Sequence, residues 1–190
     1  MRSPSLMTRT LKIVLLGILL LGAANQANAQ FYSVKADMLG LATTTFNFEA
    51  SAAVDFQWSL HLHAQYNPWT FPGNKKFKNL TFMPSARRWF TETYSYGYFM
   101  GVNVVVSRYN IGGMFGDKYR RDGMAYGAGF SGGFVMPVKR RWNLEFELGI
   151  NFGWTNYDKY PCAKCGEKIS EESGMFVAPG RTAISLVYLF

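Results

Sequence analysis

The chain has few of the side chains that metal and redox sites need. Its 190 residues include only two cysteines and two histidines. A closed structural zinc site takes four ligands, so neither residue type could supply one alone. Acidic residues are also scarce, at 12 against 20 basic residues, which gives a formal net charge of +8.

Long apolar runs are equally scarce. One covers residues 13–21, and no run after residue 29 reaches the roughly 20 apolar residues that a membrane-spanning helix needs. The mature chain could therefore cross a membrane only as a closed β-barrel, because every backbone polar group must be paired within the bilayer.

The amino end is typical of a secretory signal peptide. Three basic residues precede the apolar run, and Ala27 and Ala29 supply the small residues before a cleavage site. The run is too short for a membrane anchor. We expect residues 1–29 to be removed and residues 30–190 to form one domain. The net charge then falls to +5, since the signal peptide holds three basic residues and no acidic ones. Nucleic acid is an implausible partner for an exported chain.

Two segments alternate between apolar and polar residues over the length of a membrane-crossing strand, roughly 9 to 11 residues. They are Trp58–Asn67 and Trp142–Thr155. Weaker segments complete a set of eight predicted strands: Tyr32–Gly40, Thr43–Ala52, Trp58–Asn67, Leu80–Phe90, Tyr96–Ser107, Gly123–Met136, Trp142–Thr155 and Arg181–Phe190.

The predicted connections alternate in length. Three short turns cover residues 53–57, 91–95 and 137–141. Three long loops, rich in Gly, Pro and charge, cover residues 67–79, 108–122 and 156–180. This alternation is typical of outer-membrane proteins, with both chain ends on the periplasmic side. The predicted fold is all-β: an eight-stranded antiparallel up-and-down transmembrane barrel with short periplasmic turns and long outer loops.

A soluble ligand-binding barrel would show the same period with its apolar face turned inward. Two features favour the membrane. The non-apolar face carries small and polar residues such as Gly127 and Ser131, where a water-exposed face would carry more Lys and Glu. Aromatic residues also collect at strand ends, as in interfacial girdles. They are Trp58, Trp89 and Trp142 near the short turns, and Tyr66, Trp69, Tyr109, Trp154 and Tyr157 near the long loops.

The last predicted strand ends on an aromatic residue, Phe190. Ile184, Leu186 and Tyr188 share its face, and we expect this face to contact lipid. A terminal strand of this kind resembles the signal read by the outer-membrane barrel-insertion machinery. We therefore expect that machinery as a partner during biogenesis.

Cys162 and Cys165 have the CxxCG spacing of zinc knuckles and redox motifs. Zinc would need two further ligands, and the two histidines are expected elsewhere in the fold. Redox catalysis usually needs a thioredoxin-like scaffold, which no segment predicts. We favour a local disulfide that ties the last long loop in an oxidising compartment, with a metal site as the alternative. No catalytic residue and no cofactor is predicted.

Ionisable residues on the polar strand faces are expected to meet inside the barrel. The set contains Lys35, Asp37, Glu49, His61, His63, Arg87, Glu145 and Glu147. Charges at membrane depth are costly unless they pair, and both signs are present. An ion or proton path is one interpretation. Eight strands enclose a space that side chains fill, so we favour a structural plug.

Six basic residues fall in the long outer loops 67–79 and 108–122: Lys75, Lys76, Lys78, Lys118, Arg120 and Arg121. Their charge suits the phosphates and acidic sugars of lipopolysaccharide in the outer leaflet. A solvated loop without a ligand explains them equally well.

Five stretches spread over the mature chain carry a family resemblance. They are QYNPWTF (65–71), AYGAG (125–129), RRWNLE (140–145), YDKYPCAKCGEK (157–168) and AISLVYLF (183–190). They resemble a family of short outer-membrane β-barrel proteins of unknown function found in Bacteroidota, and the YxCxxCGEK stretch with a terminal LVYLF is the most specific part. The resemblance implies no established activity. Some members of that family are encoded near fimbrial assembly genes.

Together these patterns predict an outer-membrane protein, in contact with outer-membrane lipid, whose outer loops carry a structural, binding or surface-assembly role without enzymatic activity. A lipid-modifying outer-membrane enzyme is the first alternative. His61 and His63 argue against it, because both are expected to point inward, His61 near the periplasmic start of its strand and His63 near mid-depth. A soluble periplasmic ligand-binding barrel is the second alternative.

Overall fold

A computed structural model describes residues 32–72, 75–113, 119–162 and 166–190. The expected signal peptide, residues 1–29, lies outside the described residues. No helix within the described ranges has both the length and the apolar character needed to cross a membrane.

The described chain contains ten strands and one short helix. Their bounds are β1 Tyr32–Asp37, α1 Met38–Ala42, β2 Phe46–Asp55, β3 Trp58–Asn67, β4 Thr70–Phe71, β5 Lys75–Trp89, β6 Gly97–Gly112, β7 Arg120–Lys139, β8 Trp142–Tyr160, β9 Ser170–Pro179 and β10 Ala183–Leu189.

Eight of the strands form a closed ring. β1, β2 and β3 pair in chain order, β3 pairs with β5, and β5 to β8 again pair in chain order. β10 closes the ring because it pairs with β8 on one side and with β1 on the other. Strands β4 and β9 lie off the ring, paired with β5 and β8. The expected all-β, antiparallel, up-and-down arrangement is therefore confirmed, with ten described strands in place of eight.

The two ends of the ring differ in their connections. Residues 56–57 and 140–141 form the short β2–β3 and β7–β8 turns, and the β5–β6 connection, residues 90–96, lies at the same end. The first and last described residues also meet there, since the Phe190 backbone N–H donates to the Tyr32 carbonyl at 2.9 Å. We call this the short-turn end and the opposite one the outer end.

Alternate side chains of each strand point into the ring and away from it. On β3, Ser59 and His61 are buried inside, whereas Leu60 and Leu62 are 53% and 51% exposed on the outside. On β10, buried Ala183, Ser185 and Val187 alternate with the outward-facing set expected from the sequence: Ile184, Leu186, Tyr188 and, beyond the strand, Phe190. The interior is thus polar and the exterior apolar, which reverses the distribution of a water-soluble protein.

β1 ends at Asp37, where an extended strand to Gly40 was expected, and the next five residues form α1. The Asp37 carboxylate accepts hydrogen bonds from the backbone N–H groups of Leu39 and Gly40, both at 3.0 Å. The Asn47 amide bonds to the Asp37 backbone N–H at 2.6 Å and to its carbonyl at 3.0 Å. Helix capping by an aspartate therefore overrides the strand pattern at this point.

At the outer end the strands run further than expected. Residues 75–79, 108–112, 120–122 and 156–160 were expected in loops, but they continue β5 to β8, and residues 170–179 form β9. The outward positions of the β5 to β8 extensions are mostly polar, yet strand pairing continues through them. Cross-strand contacts support it: the Arg120 guanidinium lies 3.8 Å from the Tyr160 ring centroid, and Lys159 Nζ lies 3.1 Å from Glu172 Oε1.

Candidate functional site

Six charged side chains fill part of the interior of the ring. We call them the interior ion cluster: Lys35, Glu49, Arg87, Glu145, Glu147 and Arg181. None of them is more than 6% exposed. Three cations face three carboxylates, so the charges of the cluster balance.

The pairing register of the strands brings this cluster together. Lys35 on β1 lies directly opposite Glu49 on β2. Glu145 and Glu147 lie two residues apart on β8, so both point inward. Contacts from Lys35 then cross the interior, because its Nζ donates to Glu145 and lies 3.6 Å from Glu147 Oε2.

Arg87 on β5 is the first centre of the cluster and has no exposed surface. Its Nη1 donates to Glu145 Oε1 at 2.9 Å and its Nη2 donates to Glu147 Oε2 at 2.6 Å. The guanidinium also lies 4.5 Å from the Phe99 ring centroid. A Cβ atom at Gly101 would lie only 3.2 Å from Arg87 Cγ, so the missing side chain leaves room for the arginine.

Glu49 is the second centre. Its Oε1 lies 3.1 Å from Lys35 Nζ and 2.7 Å from His61 Nδ1. Its Oε2 accepts a hydrogen bond from Arg181 and lies 3.7 Å from His63 Nδ1. Glu49 therefore connects both histidines to the ion cluster, as expected for residues of the polar strand faces.

Sequence reasoning missed one member of the cluster, Arg181, whose Nε lies 3.2 Å from Glu147 Oε2. A signal was available. The expected set held two cations, Lys35 and Arg87, against four carboxylates, and a buried set with that imbalance calls for another cation. The expectation for Asp37 was wrong, since its carboxylate caps α1 instead of joining the cluster.

His61 also joins a serine to a carboxylate in the geometry of a nucleophile, a base and an orienting acid. Its Nε2 lies 2.7 Å from Ser59 Oγ and its Nδ1 lies 2.7 Å from Glu49 Oε1. Ser59 has no exposed surface, however, and Trp89 Nε1 donates to its Oγ at 2.8 Å. The contacts satisfy buried polar groups and leave the hydroxyl closed to a substrate in this conformation.

Apolar side chains pack inside the short-turn end. The cluster consists of Trp89, Tyr94, Phe99 and Val135. Tyr94 enters it from the β5–β6 connection with a backbone φ of 63°, which is unusual for a bulky residue. Its ring centroid lies 5.4 Å from that of Trp89, and its hydroxyl lies 2.6 Å from Ser51 Oγ. These buried contacts hold the connection folded inward and cover the ion cluster from this end.

Three aromatic residues expected in exterior girdles face the interior instead: Trp89, Tyr109 and Tyr157. Trp89 follows Arg87 by two residues and so shares its face. The Tyr109 hydroxyl lies 2.6 Å from Thr155 Oγ1, and the Tyr157 hydroxyl donates to Glu172 Oε2 at 2.8 Å. The other expected girdle residues are exposed: Trp58, Tyr66, Trp69, Trp142 and Trp154.

The basic residues expected in loops lie on strands where they are described. Lys75, Lys76 and Lys78 belong to β5, and Arg120 and Arg121 belong to β7. Lys118 lies outside the described residues.

Cys162 follows the end of β8, and Cys165 lies outside the described residues, so their disulfide stays a prediction. Across residues 32–72, 75–113, 119–162 and 166–190, no group of three or more His, Cys, Asp and Glu side chains is arranged to hold a metal ion.

Toward the outer end, the interior contains a cavity of about 380 Å³, which we call the outer cavity. Most of its surface is apolar, and hydroxyl and amide side chains are placed around it: Gln65, Asn79, Thr81, Ser107, Tyr109, Asn151 and Thr155. Met83, Val105 and Phe176 contribute apolar surface. The described residues that line it carry no charge, in contrast to the ion cluster.

We expect Arg87→Met to destabilise the folded protein by about 3 to 5 kcal/mol, because Glu145 and Glu147 would stay buried with one cation fewer. Urea unfolding of the protein in detergent micelles measures the change. Arg88→Met is the matched control at the exposed neighbouring position, with an expected change within about 0.5 kcal/mol. Adding Glu147→Gln to Arg87→Met should recover part of the loss. Equal effects at positions 87 and 88 would contradict a stabilising ion cluster.

The comparisons with known proteins identify a family. No curated protein and no solved structure matches the chain significantly. A family model described as "Protein of unknown function (DUF3575)" matches residues 14–190. The match covers nearly the whole chain and agrees with the resemblance to an uncharacterised family, whereas the Bacteroidota source stays an expectation. The chain belongs to the DUF3575 family.

Proposed function

We propose that the protein is an eight-stranded outer-membrane β-barrel whose role is carried at its outer end. The observation that supports this proposal is the reversed polarity of the ring, polar inside and apolar outside. Outward-facing Leu148, Phe130 and Tyr98 are 68%, 63% and 66% exposed. Such side chains surround the ring. Together they form a larger apolar surface than the contiguous patch of a few hundred Å² that a soluble monomer exposes. Exposing this apolar exterior to water would cost free energy, and a hydrocarbon environment removes that cost. The soluble periplasmic barrel is therefore disfavoured.

The aromatic contacts at the short-turn end fit a membrane interface. Outside the ring, the Tyr98 and Phe134 ring centroids lie 4.9 Å apart. Trp142 lies 4.9 Å from Tyr188, which lies 5.1 Å from Phe190. Amphipathic rings of this kind favour the headgroup level. We therefore propose that the short turns face the periplasm and that the outer end, with the extended parts of β5 to β9, faces outward. We also propose that Phe190 is read by the barrel-insertion machinery.

A closed interior argues against conduction. The ion cluster is almost fully buried, and the apolar side chains beside it cover it from the short-turn end. Eight strands leave room for little more than their own side chains. The proposed role is therefore structural, binding or accessory to surface assembly. The parts that carry it are the extended outer parts of β5 to β9 and the outer cavity.

A barrel in the outer membrane should be extracted only by detergent and should migrate faster in electrophoresis before boiling than after it. The closed ring resists the detergent until heat opens it, which is the reason for this shift. Fractionation of cells that express the full chain checks both properties. Recovery of the protein in the soluble periplasmic fraction would exclude the proposal.

We also propose that the protein is not an enzyme of the serine-hydrolase type, because Ser59 is closed off by Trp89 and His61. A fluorophosphonate probe should leave the natively folded protein unlabelled, while a serine hydrolase in the same detergent is labelled. The Ser59→Ala variant is the control for background labelling. Labelling that disappears in Ser59→Ala would instead support the lipid-modifying alternative.

Outward-facing basic side chains at the outer end support lipopolysaccharide as a lipid partner. Arg108 lies directly opposite Leu80, which is 57% exposed on the apolar exterior, and Lys78 lies one outward position further along β5. Cations where the apolar exterior ends, toward the outer end, are suited to binding lipid phosphates.

Replacing Lys76, Lys78 and Arg108 together by Gln should lower the amount of lipopolysaccharide that copurifies with the protein, because the phosphate contacts are lost. The molar ratio of phosphate to purified protein measures this amount. The matched control replaces Lys139, Arg140 and Arg141 at the short-turn end by Gln and should change nothing. An equal loss in both variants would point to bulk charge instead of a site.

A further inference from the structure

The outer cavity is separated in chemistry from the ion cluster beneath it. Its lower part contains Asn151, whose Oδ1 accepts a hydrogen bond from Asn103 Nδ2 at 2.9 Å. Arg181 and the glutamates of the cluster do not contribute to the lining. At about 380 Å³ the cavity falls within the usual range for small-molecule sites, about 300 to 1,000 Å³.

Hydroxyl and amide groups converge on the cavity in adjacent pairs. Thr81 Oγ1 lies 2.7 Å from Ser107 Oγ, and Tyr109 Oη lies 2.6 Å from Thr155 Oγ1. Gln65 and Asn79 form a third pair, in which Gln65 Nε2 donates to Asn79 Oδ1 at 3.2 Å. Thr155 Oγ1 also donates to the Met124 carbonyl at 3.1 Å, so Tyr109 Oη donates to Thr155 and both hydroxyls keep only acceptor capacity. The other hydroxyl and amide side chains keep donor or acceptor capacity beyond these pairs. A ligand with several hydroxyl groups would find both donors and acceptors in this lining.

One buried polar atom beside the cavity lacks a partner. Asn103 is 5% exposed, and its Oδ1 accepts no hydrogen bond from the part of the chain that the structure describes. Buried amide oxygens are normally satisfied, and the cost of leaving one unpaired is about 1 to 3 kcal/mol. The neighbouring Asn151 is a lining residue, so a donor bound low in the cavity lies close to this amide pair.

An aromatic face completes the lining. Phe176 on β9 lies over Gly153 on β8, and a Cβ atom at Gly153 would lie 2.8 Å from Phe176 Cε1. The absence of a side chain at Gly153 therefore lets the ring lie across the inner face of the sheet. Hydroxyls and amides around an aromatic surface, without charge, suit a ring that is polar at its edge and apolar on its faces.

We propose that the outer cavity is a binding site for a neutral saccharide unit. This inference rests on the proposed function, because the cavity is reached from outside the cell only if the outer end faces outward. A charged ligand is disfavoured, since the lining residues that the structure describes offer its charge no counter-ion. The saccharide stacks on Phe176 and donates hydrogen bonds to the hydroxyl oxygens of Tyr109 and Thr155.

The test uses the full mature protein in a zwitterionic detergent that contains no sugar. Methyl glycosides of glucose, galactose, mannose and N-acetylglucosamine are the probes, and glucuronate is the charged comparison. Saturation-transfer NMR detects contact, and titration of the signal gives the affinity. At least one neutral glycoside is expected to bind saturably, with glucuronate at least tenfold weaker.

Two variants locate the site. Phe176→Ala and Tyr109→Phe should each weaken binding about three- to tenfold, the range of one stacking contact or one hydrogen bond. Tyr126→Phe, on the outward face of β7 and 48% exposed, is the matched control and should bind like the unaltered protein. Heat-dependent migration of every variant confirms that the ring is intact.

The outcomes separate the two proposals. If the protein shows heat-dependent migration but binds no neutral glycoside, or binds glucuronate equally well, the saccharide site is wrong and the proposed barrel stands. Binding that survives both Phe176→Ala and Tyr109→Phe places the ligand elsewhere and also overturns the inference. Loss of heat-dependent migration in the unaltered protein would count against the barrel itself.

Discussion

The interior of this protein depends on one buried carboxylate. Glu49 is 1% exposed and contacts Lys35 of β1, His61 of β3, Arg87 of β5 and Arg181 before β10. Burying a charge costs several kcal/mol, and the cost is offset only if the partners stay in place. A shift of one residue in register would turn these charges outward, so the strand pairing and the ion cluster specify each other.

The same cluster divides the interior into parts with different chemistry. On the short-turn side, Phe99 lies against the Arg87 guanidinium, and Trp89 and Tyr94 pack beside Phe99. On the outer side lies the outer cavity, whose described lining residues are uncharged and include Tyr109 and Phe176. Because the charges are paired among themselves, they do not extend their field strongly into the cavity. The charge-balanced ion cluster thus leaves the hydroxyl and amide groups of the outer cavity free to bind a ligand.

The period of two residues accounts for the parts of the fold that were expected correctly. It predicted which side chains of β3 and β10 point inward and which point outward. It also placed Glu145 and Glu147 on the inner face of β8. It failed where a local or cross-strand contact outweighed the pattern. Asp37 starts a helix because its carboxylate bonds to the following N–H groups. The outer parts of β5 to β8 are mostly polar on the outward face, so no apolar outward face marked them as membrane-crossing strands.

The sequence alone determined which residues face in and which face out, because side-chain direction in a strand follows position in the chain. Only the tertiary structure decided which inward residues meet. Arg181 enters the ion cluster from a connection, Trp89 donates to Ser59 inside the ring, and Gly153 makes space for Phe176. These contacts join residues that are distant in the chain, and their geometry exists only once β10 has closed the ring.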